Sequence, residues 1–201
     1  AFRYPTRRKY GRDPYLTNGN ALMGRLRLSL KDRNVPIWLK SPASELIFEN
    51  GRAVGAVIEK DGQSMRVEAK RGVLLAAGGF ERNLKMREEY GPKPASVEWT
   101  AGNEHNTGDA IQMGMKAGAG TALMSEAWWT PVTQYPGSKD GWVLVVEKSL
   151  PGGIFINGLG KRFTNESAPY VDVVVEMYKD HQKTGKTVPG WMVFDADYRH
   201  N

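Results

Sequence analysis

The sequence predicts a mixed α/β fold with an α+β portion, and three observations carry that prediction. Gly72-Val-Leu-Leu-Ala-Ala-Gly-Gly-Phe80 contains a continuous apolar run, Val73 to Ala77, bounded by glycine. Such a run suits a strand buried on both faces. Asn50-Gly51 and Asp61-Gly62 separate three short segments rich in β-branched residues. Asn-Gly and Asp-Gly are strong hairpin signals because both central turn positions need positive φ, so these segments form an antiparallel meander over about 43–71. Segments of helical period alternate with the strands, which completes the mixed class.

The elements follow in order. Residues 1 to 18, rich in Arg, Pro, Gly and Tyr, read as an irregular arm. Asn18-Gly-Asn20 precedes a helix with Leu22, Met23, Leu26 and Leu30 on one side, and Val35 to Leu39 follows as a short strand after the helix. Ser44 to Phe48, Ala53 to Lys60 and Ser64 to Ala69 are the meander strands, and Val73 to Ala77 is the buried strand after them. Glu81 to Tyr90 is a charged helix stopped by Gly91-Pro92, and 93–106 is a polar loop. Thr107-Gly108-Asp109 opens an apolar helix over 108–117, closed by Gly118-Ala-Gly120, with a short strand near Thr121 to Met124. Tryptophans and prolines change the character of the chain near Ser125, which divides it into 1–124 and 125–201. In the second part, Val143 to Val146, Gly153 to Asn157 and Trp191 to Phe194 read as strands, and Val171 to Lys183 as a helix.

Composition excludes several classes. The absence of cysteine removes disulfides, thiolate catalysis and cysteine metal sites, and fits a reducing, cytoplasmic setting. No apolar run approaches the ~18 residues that span a bilayer, so no transmembrane segment is expected. A net charge of +6 owes much to Arg3, Arg7, Arg8, Lys9 and Arg12. A basic arm with interleaved aromatics can touch nucleic acid, but no nucleic-acid-binding signature accompanies it, and a solvated loop is the preferred reading. His105, His181 and His200 share no ligand spacing, so no metal site is expected. Neither the Gly-x-Ser-x-Gly nor the phosphate-loop pattern occurs.

Two features of the central stretch bear on binding. The pair Gly78-Gly79 lets a ligand or another backbone approach, since no Cβ stands in the way. Asp109, at a helix start, either holds a ligand hydroxyl or simply complements the helix dipole. The residues alone leave both readings open.

Ala76-Ala-Gly-Gly-Phe-Glu-Arg-Asn83 and Asn106-Thr-Gly-Asp-Ala-Ile111 together resemble the FAD-dependent family of fumarate reductases and 3-ketosteroid dehydrogenases. Ala127-Trp-Trp-Thr-Pro131, Pro151-Gly-Gly-Ile-Phe-Ile-Asn157 and Gly160-Lys-Arg-Phe-Thr-Asn-Glu-Ser-Ala-Pro-Tyr170 look like the ketosteroid dehydrogenase branch. The resemblance implies part of a Rossmann-like FAD-binding domain carrying the meander, then part of an α+β substrate-capping domain. The family opens with a Gly-x-Gly-x-x-Gly unit and closes with a second flavin-contacting segment. Neither occurs here, so the resemblance implies an internal piece, with FAD expected in the complete protein and weak or no FAD binding by this chain alone.

The resemblance also implies site residues. Ala43, Gly78, Gly79 and Asp109 match flavin-contacting positions, and Tyr170 matches a catalytic tyrosine of the cap. Trp128 and Trp129 suit the wall of a flat apolar pocket, although such residues are more often core. Glu166 matches a substrate-loop position, and it stands near enough to Arg162 for a local ion pair. The implied reaction removes hydrogens from the CH–CH bond beside a ring ketone of a steroid-like substrate, with the hydride passing to FAD and onward to an external electron acceptor. A phenol that ionises near ~10 is a poor base at neutral pH, so the chemistry asks for a further donor near the reacting oxygens. A fumarate-reductase-like flavoprotein is the alternative. Ala168, Pro169 and Tyr170 stand where that branch carries an arginine after the Asn-Glu pair. An inactive fragment without FAD is the other alternative.

Overall fold

The computed structural model describes residues 8, 9, 11, 15–134, 136–138 and 141–200. The chain separates into two compact units, one reaching Gly72 and one starting at Val73. The expected join near Ser125 therefore falls inside the second unit.

In the first unit, α1 (Asn18–Asp32) precedes three strands, β1 (Ala43–Glu49), β2 (Arg52–Lys60) and β3 (Gln63–Glu68). They form an antiparallel sheet in the order β1-β2-β3. Leu46 pairs with Ala56, and Val57 with Arg66. The turn chemistry is as the sequence predicts: Asn50 and Gly51 sit at φ 49° and 76°, Asp61 and Gly62 at 52° and 77°. Two positive φ values in a row give the turn whose twist matches the flanking strands. The apolar side of α1 is exposed, including Leu22, Met23 and Leu26. The segment 35–38 makes no strand, because no described segment pairs with it to make a ladder.

The second unit begins with the largest departure from expectation. Residues 73–80 form no strand, and Leu74 is 89% exposed. The run has the composition of a doubly buried strand, but a strand needs a paired neighbour and such burial needs both faces covered, and no described segment pairs with it. Beyond it lie α2 (Leu84–Tyr90), α3 (Asp109–Lys116), β4 (Val132–Thr133), β5 (Trp142–Val143), a 3-10 turn (Glu147–Ser149), β6 (Gly153–Ile156), α4 (Tyr170–Thr184), β7 (Trp191–Phe194) and α5 (Ala196–His200). The expected strand at 121–124 is absent, and of that over 143–146 only Val143 lies in a strand, paired with Val132 of β4. Strands β6 and β7 pair antiparallel, with Gly153 opposite Phe194 and Ile156 opposite Trp191.

The helix α4 supplies the packing of this unit. Val173 and Val174 are buried, and both line a cavity together with Met177 and Tyr178, three to four residues further on. Phe155 stacks on Phe163 at 6.3 Å between ring centres. Gly185 closes the helix at φ 66°, its N–H donating to the His181 carbonyl. The Asp180 carboxylate accepts from Asn157 and Thr187, and His181 Nδ1 accepts the Thr187 and Val188 N–H groups. These bonds tie the end of α4 to the approaches of β6 and β7.

Candidate active site

Gly78-Gly79 and the loop before α3 are built as one piece. The Gly108 N–H donates to the Gly79 carbonyl at 3.0 Å, and the Arg82 N–H to the Asn106 carbonyl at 3.0 Å. Side chains finish the joint. Asn106 Nδ2 donates to Glu81 Oε1 at 2.6 Å, and Asn83 Nδ2 to the Thr107 carbonyl at 2.9 Å. Asn83 also caps α2 by accepting the Met86 N–H. Two glycines are required here. A Cβ on Gly78 would stand 2.6 Å from Asn106 Oδ1, and one on Gly108 would stand 2.6 Å from Met86 Sδ. Both have positive φ, 84° and 79°.

Asp109 follows as the first residue of α3. It is exposed, and its carboxylate accepts no hydrogen bond among the described residues. A carboxylate at the positive end of a helix and open to one side is suited to hold ligand hydroxyls. The exposed backbone of 73–78 carries N–H and C=O groups outside any ladder. Together these groups fit the hydroxyls and polar edges of a dinucleotide such as FAD. Ala43 opens β1 in the other compact unit.

A cavity of about 500 Å³ opens beside Gly79 and reaches Trp128 and Trp129, with Trp99 and Met124 also on its wall. A second of about 360 Å³ lies among Phe155, Val173, Tyr178 and Trp191. Trp129 and Trp99 border both. Trp129 meets Tyr178 at 6.1 Å between ring centres. Burial raises the Tyr178 phenol above its ordinary value, against the opposing influence of Arg87, and its hydroxyl donates to the Pro94 carbonyl at 3.1 Å.

Tyr170 begins α4 and lines neither cavity. Its hydroxyl accepts the indole N–H of Trp128 at 2.6 Å, so the phenol is joined to the wall of the larger cavity. The loop that delivers it is fixed from within. Glu166 is 5% exposed. Its carboxylate accepts the Phe155 N–H at 2.7 Å and two donors of Arg162, at 3.2 and 2.6 Å. Burial would raise this carboxyl, but the Arg162 and Phe155 donors outweigh it and hold it below the ordinary range. The expected local ion pair is thus present, and Glu166 points both oxygens at the protein.

Lys148, 2% exposed, completes the loop. Its ammonium donates to the Glu166 and Ala168 carbonyls at 2.7 and 2.6 Å, and to Ser149 Oγ at 3.1 Å. Burial lowers its pKa, with the Glu166 charge opposing. Sequence reasoning missed Lys148, and nothing in its neighbours marks it out. It also passed over Trp99, for which a lone tryptophan in a polar loop was a usable signal. No group of histidines and carboxylates arranged to hold a metal occurs among the described residues, and none of the described helices is long and apolar enough to cross a membrane.

Comparison with known proteins gives a consistent result. The FAD binding domain family matches residues 3–201. A 3-oxosteroid 1-dehydrogenase of Mycobacterium tuberculosis is 40% identical over 190 residues, covering 90% of this chain and 33% of its own length. The chain spans about a third of the length of the curated relatives it matches. Among solved structures, a 3-ketosteroid delta1-dehydrogenase of Sterolibacterium denitrificans, in complex with 1,4-androstadiene-3,17-dione, superposes with a TM-score of 0.94 at 44% identity, over 98% of this chain and 36% of that one. A flavocytochrome c3 fumarate reductase superposes with a TM-score of 0.65 at 24% identity, over 93% of this chain and 32% of that one, and shares the fold.

Proposed function

Starting from a chain that belongs to the FAD binding domain family over residues 3–201, we propose that it forms the flavin-facing and substrate-facing middle of a 3-ketosteroid dehydrogenase. One observation carries the reading. Gly79, a residue of the flavin-contacting pair, shares a cavity of about 500 Å³ with Trp128 and Trp129, so a flat apolar substrate fits beside the dinucleotide. That volume lies in the range of small-molecule sites, and rigid aromatic walls suit a fused-ring ketone.

In this reading Gly78 and Gly79 allow close approach of FAD, and Asp109 accepts a hydroxyl of it. Bound FAD supplies the acceptor for the hydride that leaves the β-carbon. Tyr170 takes the proton from the carbon next to the ketone, at its phenolic oxygen. Loss of the proton and the hydride leaves a carbon-carbon double bond conjugated with the carbonyl, and the two electrons pass on to an external acceptor. Trp128 and Trp129 wall the substrate cavity and keep the ring plane fixed. Glu166 acts on substrate through the loop it holds, since its oxygens are engaged with Arg162 and Phe155.

The test is anaerobic reduction of the complete FAD-loaded enzyme. A 3-ketosteroid bleaches the flavin absorption, and succinate leaves it unchanged. Bleaching by succinate alone would replace this reading with the unsaturated-acid one. Asp109→Ala weakens FAD binding while leaving the far-ultraviolet circular dichroism unchanged. Equal FAD affinity in that variant removes Asp109 from the site.

A further inference from the structure

We propose that Trp128 is the positioning residue for the reacting phenol, with its indole N–H aiming the Tyr170 oxygen and stabilising it once the proton has left; this rests on Tyr170 being the proton acceptor. The bond is short, 2.6 Å, and joins residues 42 positions apart. Trp128 is 81% exposed, so burial of its ring does not account for its position. Indole is a donor only and does not titrate in water. It therefore holds the phenol oxygen without competing for the substrate proton.

The geometry has a chemical consequence. A phenol O–H lies in the plane of its ring, and the oxygen accepts a donor on the side away from that hydrogen. With the indole on one side, exchange with substrate is confined to the remaining side. When the oxygen becomes anionic the N–H···O bond turns charge-assisted and roughly twice as strong. The stabilisation appears only where negative charge develops, which is the condition for speeding a step rather than merely tightening binding. This is the further donor that the chemistry of a weak phenolic base requires. Trp128 is also on the wall of the larger cavity, so one side chain connects substrate placement to the base.

Two measurements test it. In the ¹⁵N-labelled chain, Trp128→Phe assigns one of the six indole N–H resonances expected from the sequence. Tyr170→Phe then shifts that resonance and leaves the other five in place. An unmoved Trp128 resonance overturns the proposal. In the FAD-loaded enzyme, Trp128→Phe lowers kcat with a 3-ketosteroid by about 10- to 100-fold, the range of a charge-assisted hydrogen bond, and changes KM by less than about threefold. Trp128→His, which keeps an N–H donor, restores part of the loss. Unchanged kcat in Trp128→Phe, with Tyr170→Phe inactive, overturns this proposal alone. Full activity in Tyr170→Phe overturns the assignment of the base on which it rests.

Discussion

Val173→Ala and Val175→Ala together test how α4 is seated. The two side chains lie on opposite sides of the helix, Val173 1% exposed and Val175 37%. Deleting two buried methyl groups forfeits about 1.6 kcal/mol of transfer free energy at ~0.8 kcal/mol each. Val173 already borders a cavity of about 360 Å³, so its surroundings have little reason to collapse. Roughly 50 Å³ of added void at ~24 cal/mol per Å³ contributes about 1 kcal/mol more. Alanine returns about 0.5 kcal/mol through its better helix propensity. Val173→Ala should therefore cost about 2 kcal/mol, and Val175→Ala should lie within about 0.5 kcal/mol of wild type, with either sign. Urea unfolding followed by tryptophan fluorescence reads this as a midpoint lowered by about 1 M for the first variant and unmoved for the second. Equal losses in the two variants would refute the helix orientation and with it the seating of Tyr170.

Three other outcomes follow from the geometry. Gly108→Ala combines φ 79° with a Cβ 2.6 Å from Met86 Sδ, whereas Gly118→Ala has φ 81° and open space around it. The second should cost about 1–2 kcal/mol for the left-handed backbone alone and the first clearly more, seen as a larger fall in melting temperature. Glu166 carries a folded pKa held below its unfolded value of about 4.5. Its stabilisation is present above that value and disappears as pH falls through the folded one, so the stability gap between wild type and Glu166→Gln narrows on acidification below about pH 4.5. A gap that stays constant down to pH 3 in denaturation midpoints would show that the charge is not what matters. Lys148 has the same sign of dependence in a higher pH range. Its folded pKa is lowered from 10.5, so between the folded and unfolded values the unfolded chain binds more protons. Wild type gains stability with rising alkaline pH relative to Lys148→Met, measured as denaturation midpoints from pH 8 to 11.

What could be read from the sequence was whatever local chemistry decides. The hairpin turns at Asn50-Gly51 and Asp61-Gly62 depend on positive φ at two adjacent residues, and both appear where expected. α4 announces itself by apolar residues three and four apart and by the glycine after it. The failures are at segments whose conformation depends on a distant partner. Val73 to Ala77 has the composition of an interior strand, yet a strand exists only as half of a pair, and composition does not say whether the other half is present. The same holds for 35–39 and 121–124. The close backbone approach at Gly78 and the helix start at Asp109 were legible because such positions need those residue types. Lys148 was not, because its role comes from carbonyls 18 and 20 residues away.

The loop from Phe163 to Pro169 leads into α4 without a regular element of its own. Its one charged side chain, Glu166, is turned toward the protein. Glu166 takes donors from β6 and from Arg162, and Lys148 takes the loop's carbonyls. A buried ammonium is costly unless its donors are used, and here three acceptors use them. The same ammonium fixes backbone two residues before the start of α4, so the loop's position is set before the helix begins. Tyr170 then extends from an anchored N-terminus rather than from a mobile connection. Its oxygen meets a donor on the far side of a 42-residue gap. Removing Lys148 would free the backbone that carries the phenol, whereas Trp128→Phe keeps an aromatic ring on the cavity wall and frees only the phenol oxygen. The two losses are therefore separable: the first appears in stability and in KM as well as kcat, the second in kcat alone.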